Sequence, residues 1–297
     1  MSEIIRSIKD FSKLKENKII YSNKKNIVLN NTTISFSGTN NILYLNTEKT
    51  IVLEDCDIEF NGNNSLIYLN ENFHKYCLKV FINNNNVLYF GKNNYFNKVL
   101  QCIISEEKNV IIGDNCLFST NICMRTADPH LMYSMKTKRR INYSKSIYIG
   151  DHVWIGQDVI VLKGAKIGSG SIIGAKSLIS TKFPSNCVGG GIPAKVIKKK
   201  VFWDSPCVHK YTKKETMDSS LFKKKNNFIY REKNNIINVI EKELNDLTEV
   251  NDKLLYINKN LINKTQNRFA IGNKQNNKVK MLTKKINRKI KKLRIKS

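Results

Sequence analysis

From Ile149 the chain falls into six consecutive six-residue units, IGDHVW, IGQDVI, VLKGAK, IGSGSI, IGAKSL and ISTKFP. An aliphatic residue opens each unit, a small residue usually follows, and a small or aliphatic side chain commonly fills the fifth place. A period of six fits a parallel β-helix, in which a unit cannot bury its own apolar face and must stack on the next coil, with first-position side chains forming the core. The same register starts at Ile112 with IGDNCL, FSTNIC and MRTADP, then fails until about Tyr143. Upstream, residues 25–110 keep a looser beat of short β-rich runs such as NIVL, TTISF, NILYL and NVLYF, separated by Asn- and Gly-containing turns. These predict irregular coils of the same solenoid.

The ends obey other periods. Ile4, Ile5, Ile8 and Phe11 fall at helical intervals and predict a short capping helix within residues 1–24. After GGGIPAKVIKKK the hexads stop. Between Asn235 and Ile262 the spacing is helical and amphipathic, and Met281, Leu282, Ile286, Ile290 and Leu293 recur at helical intervals among lysines and arginines. The chain divides accordingly into a cap (1–24), irregular coils (25–110), a hexapeptide β-helix interrupted at 124–146 (111–200), and a basic, partly helical extension (201–297).

The net charge is +27, and residues 198–297 hold 27 Lys/Arg against 9 Asp/Glu, so +18 of it lies there. Such a balance favours polyanionic partners. The enrichment in Asn, Ile and Lys throughout is also what A/T-rich coding produces. For the basic tail, a solvated, partly disordered segment and a helix lying on anionic lipid both remain open. No apolar run is long enough to span a bilayer and the N-terminus lacks a signal-peptide core, so a cytoplasmic protein is expected. Seven cysteines, scattered and without a CxxC pair, indicate neither a disulfide framework nor a zinc site.

The hexads, VWIG at 153–156, IGAKSLI and the closing GGGIPAKVIKK together resemble the hexapeptide-repeat acyltransferases, over residues 110–200. The resemblance implies an all-β fold, a left-handed parallel β-helix, assembled as a homotrimer that transfers acetyl groups from acetyl-CoA without a metal. It gives meaning to the break. An acetyl transfer to a sugar hydroxyl needs a base active near neutral pH, a task suited to histidine. In the family an interrupting loop delivers that histidine, and DPHLM at 128–132 places His130 there. Asp128 is a candidate to orient His130 or to contact the acceptor, and Arg125 to bind the acceptor. Trp154 stands at an outward sixth position, where an indole is costly unless covered; the resemblance sets it at the thioester and acceptor end of the coenzyme channel. Simple packing against a neighbouring subunit is the alternative. For His152 on the same rung a surface or interface role is expected. The resemblance further implies coenzyme contacts at Gln157, Ala175, Ser180, Thr181 and Lys195. Thr181 occupies the place expected for lysine, with Lys182 following.

The long coil region before the loop, RTADPH, and FWDSPCVHKYTKK after the repeats are closest to bacterial sialic acid O-acetyltransferases. That likeness implies acetylation of a sialic acid hydroxyl on lipooligosaccharide or capsule, by direct transfer. A basic KTKRR run beside the base suits an anionic acceptor, and the basic tail suits peripheral docking at the cytoplasmic face of the inner membrane. Two other readings stand beside it: a transferase acting on another sugar or amino sugar, and a non-catalytic basic scaffold binding nucleic acid or membrane. For the enzyme reading no nucleic acid partner is expected.

Overall fold

In a computed structural model describing residues 2–220, 228–231, 236–262 and 269–272, short strands stack into three parallel ladders around one core. Each coil visits three faces in turn. One face runs from Thr33–Phe36 to Leu178–Ile179 and ends at the break, so we call it the departure face. The next, from Lys18–Tyr21 to Lys182–Phe183, is the tyrosine face. The third, the tryptophan face, carries Tyr95–Phe96, Leu117–Phe118, Trp154–Ile155, Ile172–Ile173 and Cys187–Gly191, closed by the antiparallel strand Ala194–Lys199.

Coil length changes along the stack. Lys18 lies beside Ile42 and Ile42 beside Leu66, 24 residues per coil. The spacing falls to 21 and 22 over the next two coils and reaches 18, three hexads, where Ile149 pairs with Ile167. All six hexad-opening residues, Ile149, Ile155, Val161, Ile167, Ile173 and Ile179, are fully buried. Each contributes about 1.5–3 kcal/mol of burial. In the longer coils larger groups fill the same axis, as in the stacked Phe36–Phe60 and Phe96–Phe118 pairs.

Asparagine turns the early corners. Asn31, Asn40, Asn64, Asn85 and Asn93 all adopt left-handed φ values, a region that asparagine tolerates better than other non-glycine residues. Their amides form ladders between coils: Asn40 Nδ2 donates to Asn64 Oδ1 at 2.9 Å and Asn64 Nδ2 to Asn85 Oδ1 at 2.6 Å. Part of the asparagine enrichment is therefore structural.

The N-terminus departs from the expected helix. Glu3–Ile5 is a strand, antiparallel to Thr33–Phe36, followed by a 3-10 helix at Ile8–Lys13. The β-branched pair Ile4–Ile5 suits a strand, and Ile5 pairs with Ile34 and enters the core, so the solenoid's first edge is covered.

The helical period of 235–262 is realised as α2 (Ile236–Asn245) and α3 (Val250–Ile257), after the short α1 (Lys213–Ser219). These two helices lie on the outer side of the tyrosine face. Ile237, Ile240 and Leu244 of α2 and Val250 and Ile257 of α3 pack on Ile42, Leu66, Tyr68, Val87, Tyr89, Ile111 and Tyr148. Lys253 is buried in this seam, and Nζ donates to the carbonyl oxygens of Asn85 at 3.0 Å and Asn64 at 3.4 Å. Burial lowers its pKa to about 8. The basic helical pattern from Met281 onward lies outside the described residues.

Candidate active site

The break leaves the departure face after Ile122–Arg125 and re-enters at Ile147–Ile149 on the tyrosine face. The register across it is 37 residues, against 18 for the coils that follow. The loop is a built hairpin. Tyr133 bridges Arg140, and a tight turn over 134–139 puts Lys138 at positive φ. Asn142 is its internal brace: Nδ2 donates to the His130 carbonyl at 2.7 Å and to Asp128 Oδ2 at 3.2 Å, and Oδ1 accepts from the Met132 amide at 2.9 Å.

Ion pairs fix the hairpin to the coils on either side. The Arg140 guanidinium grips both oxygens of Glu106, which also accepts from Ser144. Arg140, then Ser144, hold the Glu106 carboxyl at about 2. On the other flank Lys163 Nζ pairs with Asp128 and donates to the Asn142 carbonyl at 3.0 Å. Lys163 first, then Asn142, lowers the Asp128 pKa. Within one chain the Asp128 carboxylate thus positions the loop. The His130 imidazole is exposed and takes no hydrogen bond among the described residues. Beside it the hairpin exposes Leu131, Met132, Tyr133 and Met135, the last 90% exposed.

The other candidates fall into two sets. Trp154, Gln157 and Ala175 follow one another around the corner from the tryptophan face to the departure face, and Lys195 lies beside Gly190 at the end of the same ladder. This corner is lined by backbone. A Cβ on Gly156 would come within 2.7 Å of the Ala175 nitrogen, so the coils approach there as closely as main chain allows. Gln157, Ala175 and Lys195 are exposed, and Trp154 is 40% exposed. Ser180, Thr181 and Lys182, all exposed, sit instead at the edge between the departure and tyrosine faces, below Lys163 and the hairpin. Arg125 ends its strand beside Leu162 on the departure face, with its Nε buried and unpartnered.

Around Trp154 the tryptophan face forms the floor of a cavity of about 1310 Å³. No residue of the 126–146 hairpin lines it. One wall comes from the extension: residues 203–209 cross the face, with Phe228 and Tyr230 behind them. His152 fastens this strap and corrects the expected surface or interface role. It is 5% exposed, its ring stacked at 4.0 Å on Trp203 and at 4.3 Å on Phe228. The Trp203 indole donates to the His152 carbonyl at 2.9 Å, and His152 Nε2 donates to the Trp203 carbonyl at 3.0 Å. Burial lowers the His152 pKa, favouring the neutral ring. Asn186 ties down the rest, donating to the carbonyls of Phe228 at 2.7 Å and Val201 at 3.1 Å. The Trp203 ring lies 6.0 Å from that of Trp154. The only sequence sign of this clamp was FWDSP, aromatic residues directly after the hexads.

The family described as bacterial transferase hexapeptide (six repeats) matches residues 146–181, the coils that carry Trp154, Gln157 and Ala175. The crystal structure of the polySia specific acetyltransferase NeuO superposes with a TM-score of 0.57 at 24% identity, covering 69% of this chain and 94% of that one. The protein folds as a left-handed parallel β-helix, with the hexapeptide-repeat match at residues 146–181. Among similar sequences, this hexapeptide-repeat chain is 42% identical over 101 residues to a polysialic acid O-acetyltransferase of Escherichia coli O1:K1 / APEC, covering 34% of this chain and 33% of that protein. It is 39% identical over 107 residues to a polysialic acid O-acetyltransferase of Neisseria meningitidis, covering 36% of this chain and 50% of that one. The chain thus spans between a third and a half of the length of these curated relatives. The hexapeptide repeats have no long apolar helix beside them: among the described residues none could cross a membrane.

Proposed function

We propose that this protein is an acetyl-CoA-dependent O-acetyltransferase acting on sialic acid of a bacterial surface glycan. The observation that carries the reading is the pairing of an exposed histidine on a braced hairpin with an exposed tryptophan on the hexad coils. Likeness to two polysialic acid O-acetyltransferases supplies the acceptor class.

The backbone-lined corner at Gly156, with Gln157 and Ala175 exposed beside it, suits an extended pantetheine arm, and Lys195 or Lys182 suits its phosphates. Acetyl-CoA would supply the acetyl group as a thioester. The His130 imidazole takes the proton from the acceptor hydroxyl as the hydroxyl oxygen bonds to the acetyl carbon, and returns it to the sulfur as the C–S bond breaks, so that coenzyme A leaves as the free thiol; Asn142 fixes the backbone that carries the imidazole. The Trp154 indole N–H donates toward the oxygen on which negative charge develops. Arg125 and the exposed Lys136, Lys138 and Arg139 favour a carboxylate-bearing sugar.

His130 and Trp154 stand on different edges of one chain, and Ser180, Thr181 and Lys182 share the hairpin's edge. A homotrimer that sets the hairpin edge of one copy against the tryptophan corner of the next brings the two sets together and covers Leu131, Met132 and Met135. The reaction is placed in the cytoplasm, with the basic tail, outside the described residues, on anionic inner-membrane lipid. Purified protein should release free thiol from acetyl-CoA only when a sialylated acceptor is supplied. Equal release with desialylated acceptor would sink the sialic acid reading, and salt-sensitive DNA binding without coenzyme binding would favour a scaffold.

A further inference from the structure

The cavity over the tryptophan face runs well beyond the rung where Trp154 stands. Trp154 pairs with Leu117 and Leu117 with Tyr95, and Phe73 and His74 lie one coil further. At about 4.8 Å per rung the floor extends about 14 Å from Trp154. Its volume of about 1310 Å³ exceeds the roughly 300–1,000 Å³ of a pocket that closes on one small ligand. The groove therefore has room for more than a single sugar.

The lining states the chemistry of that occupant. Aromatic rings stand exposed along the floor: Trp154 at 40%, Tyr95 at 40% and Phe73 at 68%. Exposed Asn97 stands among them, offering both a donor and an acceptor. Rings interleaved with amides match sugars, which carry apolar C–H faces rimmed by hydroxyls. Among the described residues no lysine or arginine lines the cavity, whereas Asp204 does. The nearby cations Lys49 and Lys92 share one carboxylate, that of Glu71, which leaves one positive charge, and Lys49 lies over the Phe73 ring at 4.2 Å. A run of carboxylates would meet that single countercharge at the far end of the groove and pass Asp204.

We propose that the groove between the 203–209 strap and the tryptophan face binds a neutral oligosaccharide tract, several sugars long, leading up to the residue that is acetylated. The acceptor is then a sialic acid borne on neutral sugars, and not a sialic acid within a polysialic acid chain. This rests on the proposed function for the identity of the acetylated sugar, but the groove's preference can be measured without it.

The test is titration of the full chain, without acetyl donor, with a neutral tetrasaccharide of galactose and N-acetylglucosamine and separately with tetrasialic acid. The neutral tetrasaccharide should bind, and Phe73→Ala and Tyr95→Ala should each weaken it roughly two- to tenfold. Acetylation of the sialylated tetrasaccharide should show a matching rise in KM in Tyr95→Ala with kcat unchanged, while free sialic acid is handled as before. No binding of the neutral tetrasaccharide, binding unmoved by both substitutions, or equal or tighter binding of tetrasialic acid would overturn the proposal. Neutral binding that persists while no sialic acid is acetylated would instead overturn the function proposed above and leave the groove standing.

Discussion

The early coils, up to about residue 110, and the hexad coils that follow share one core axis and differ in their outer surfaces. The early coils are long and cornered by asparagine ladders, and α3 is tied to them through Lys253. The hexad coils are short and cornered by left-handed His152, Asp158, Lys176 and Asn186, with main chain close to main chain at Gly156 beside the corner where Trp154 stands. Both halves are buried equally well inside, so burial alone would not say where ligands bind. The difference lies in which edges are left uncovered. One is the Trp154 corner and the other is the edge bearing the hairpin.

That contrast can be broken most severely at the hairpin. His130→Ala should lower acetyl transfer by about 10²–10⁴-fold with the melting temperature unchanged, because the imidazole is exposed and touches no core residue. A fall in both would make His130 structural. Core truncations should not distinguish the halves: Phe60→Ala in an early coil should cost about 3–5 kcal/mol and Ile155→Ala in a hexad about 2–5 kcal/mol, read from urea denaturation. Leu244→Ala, which thins the cover of the tyrosine face, should cost about 2–4 kcal/mol by the same measurement, whereas a loose, separable extension would show no change.

The hexad half was legible in the sequence because each rung repeats its demands every six residues. His130 was legible because it falls where that demand lapses. The extension's role was not. Tyr44, Tyr68, Tyr89 and Tyr148 point outward from strands that are apolar on both sides, and such strands signal a covered face without naming the cover. His152 misled for a similar reason. Its outward position at a left-handed corner is real, but Trp203, fifty-one residues on, closes over it. The separation of Trp154 from the hairpin edge follows from the order of the three faces, which no local pattern encodes.

Smaller effects sharpen the comparison. At the left-handed corner of Asn64, with φ of 61°, Asn64→Ala should destabilise by about 1–2 kcal/mol, and Asn64→Gly should recover the backbone part of that loss. The slightest effect is expected at the hairpin's acidic anchor. The Glu106 carboxyl sits near 2 in the folded chain, below its ordinary 4.5, so its contribution is complete above pH 4.5 and fades as pH falls toward 2. Amide NMR signals of residues 131–143 should hold their positions from pH 7 to about 4 and shift only as pH falls toward 2. In Glu106→Gln they should already be shifted at pH 7.

The central claim is that one chain carries two incomplete halves of a site, which meet between copies. It is tested most directly by mixing His130→Ala protein with Trp154→Ala protein after dissociation and reassociation, and measuring thiol release from acetyl-CoA with a sialylated acceptor. Each variant alone should be nearly inactive, and the mixture should regain activity because some interfaces join an intact His130 to an intact Trp154. A mixture no more active than the two variants measured separately would contradict the account.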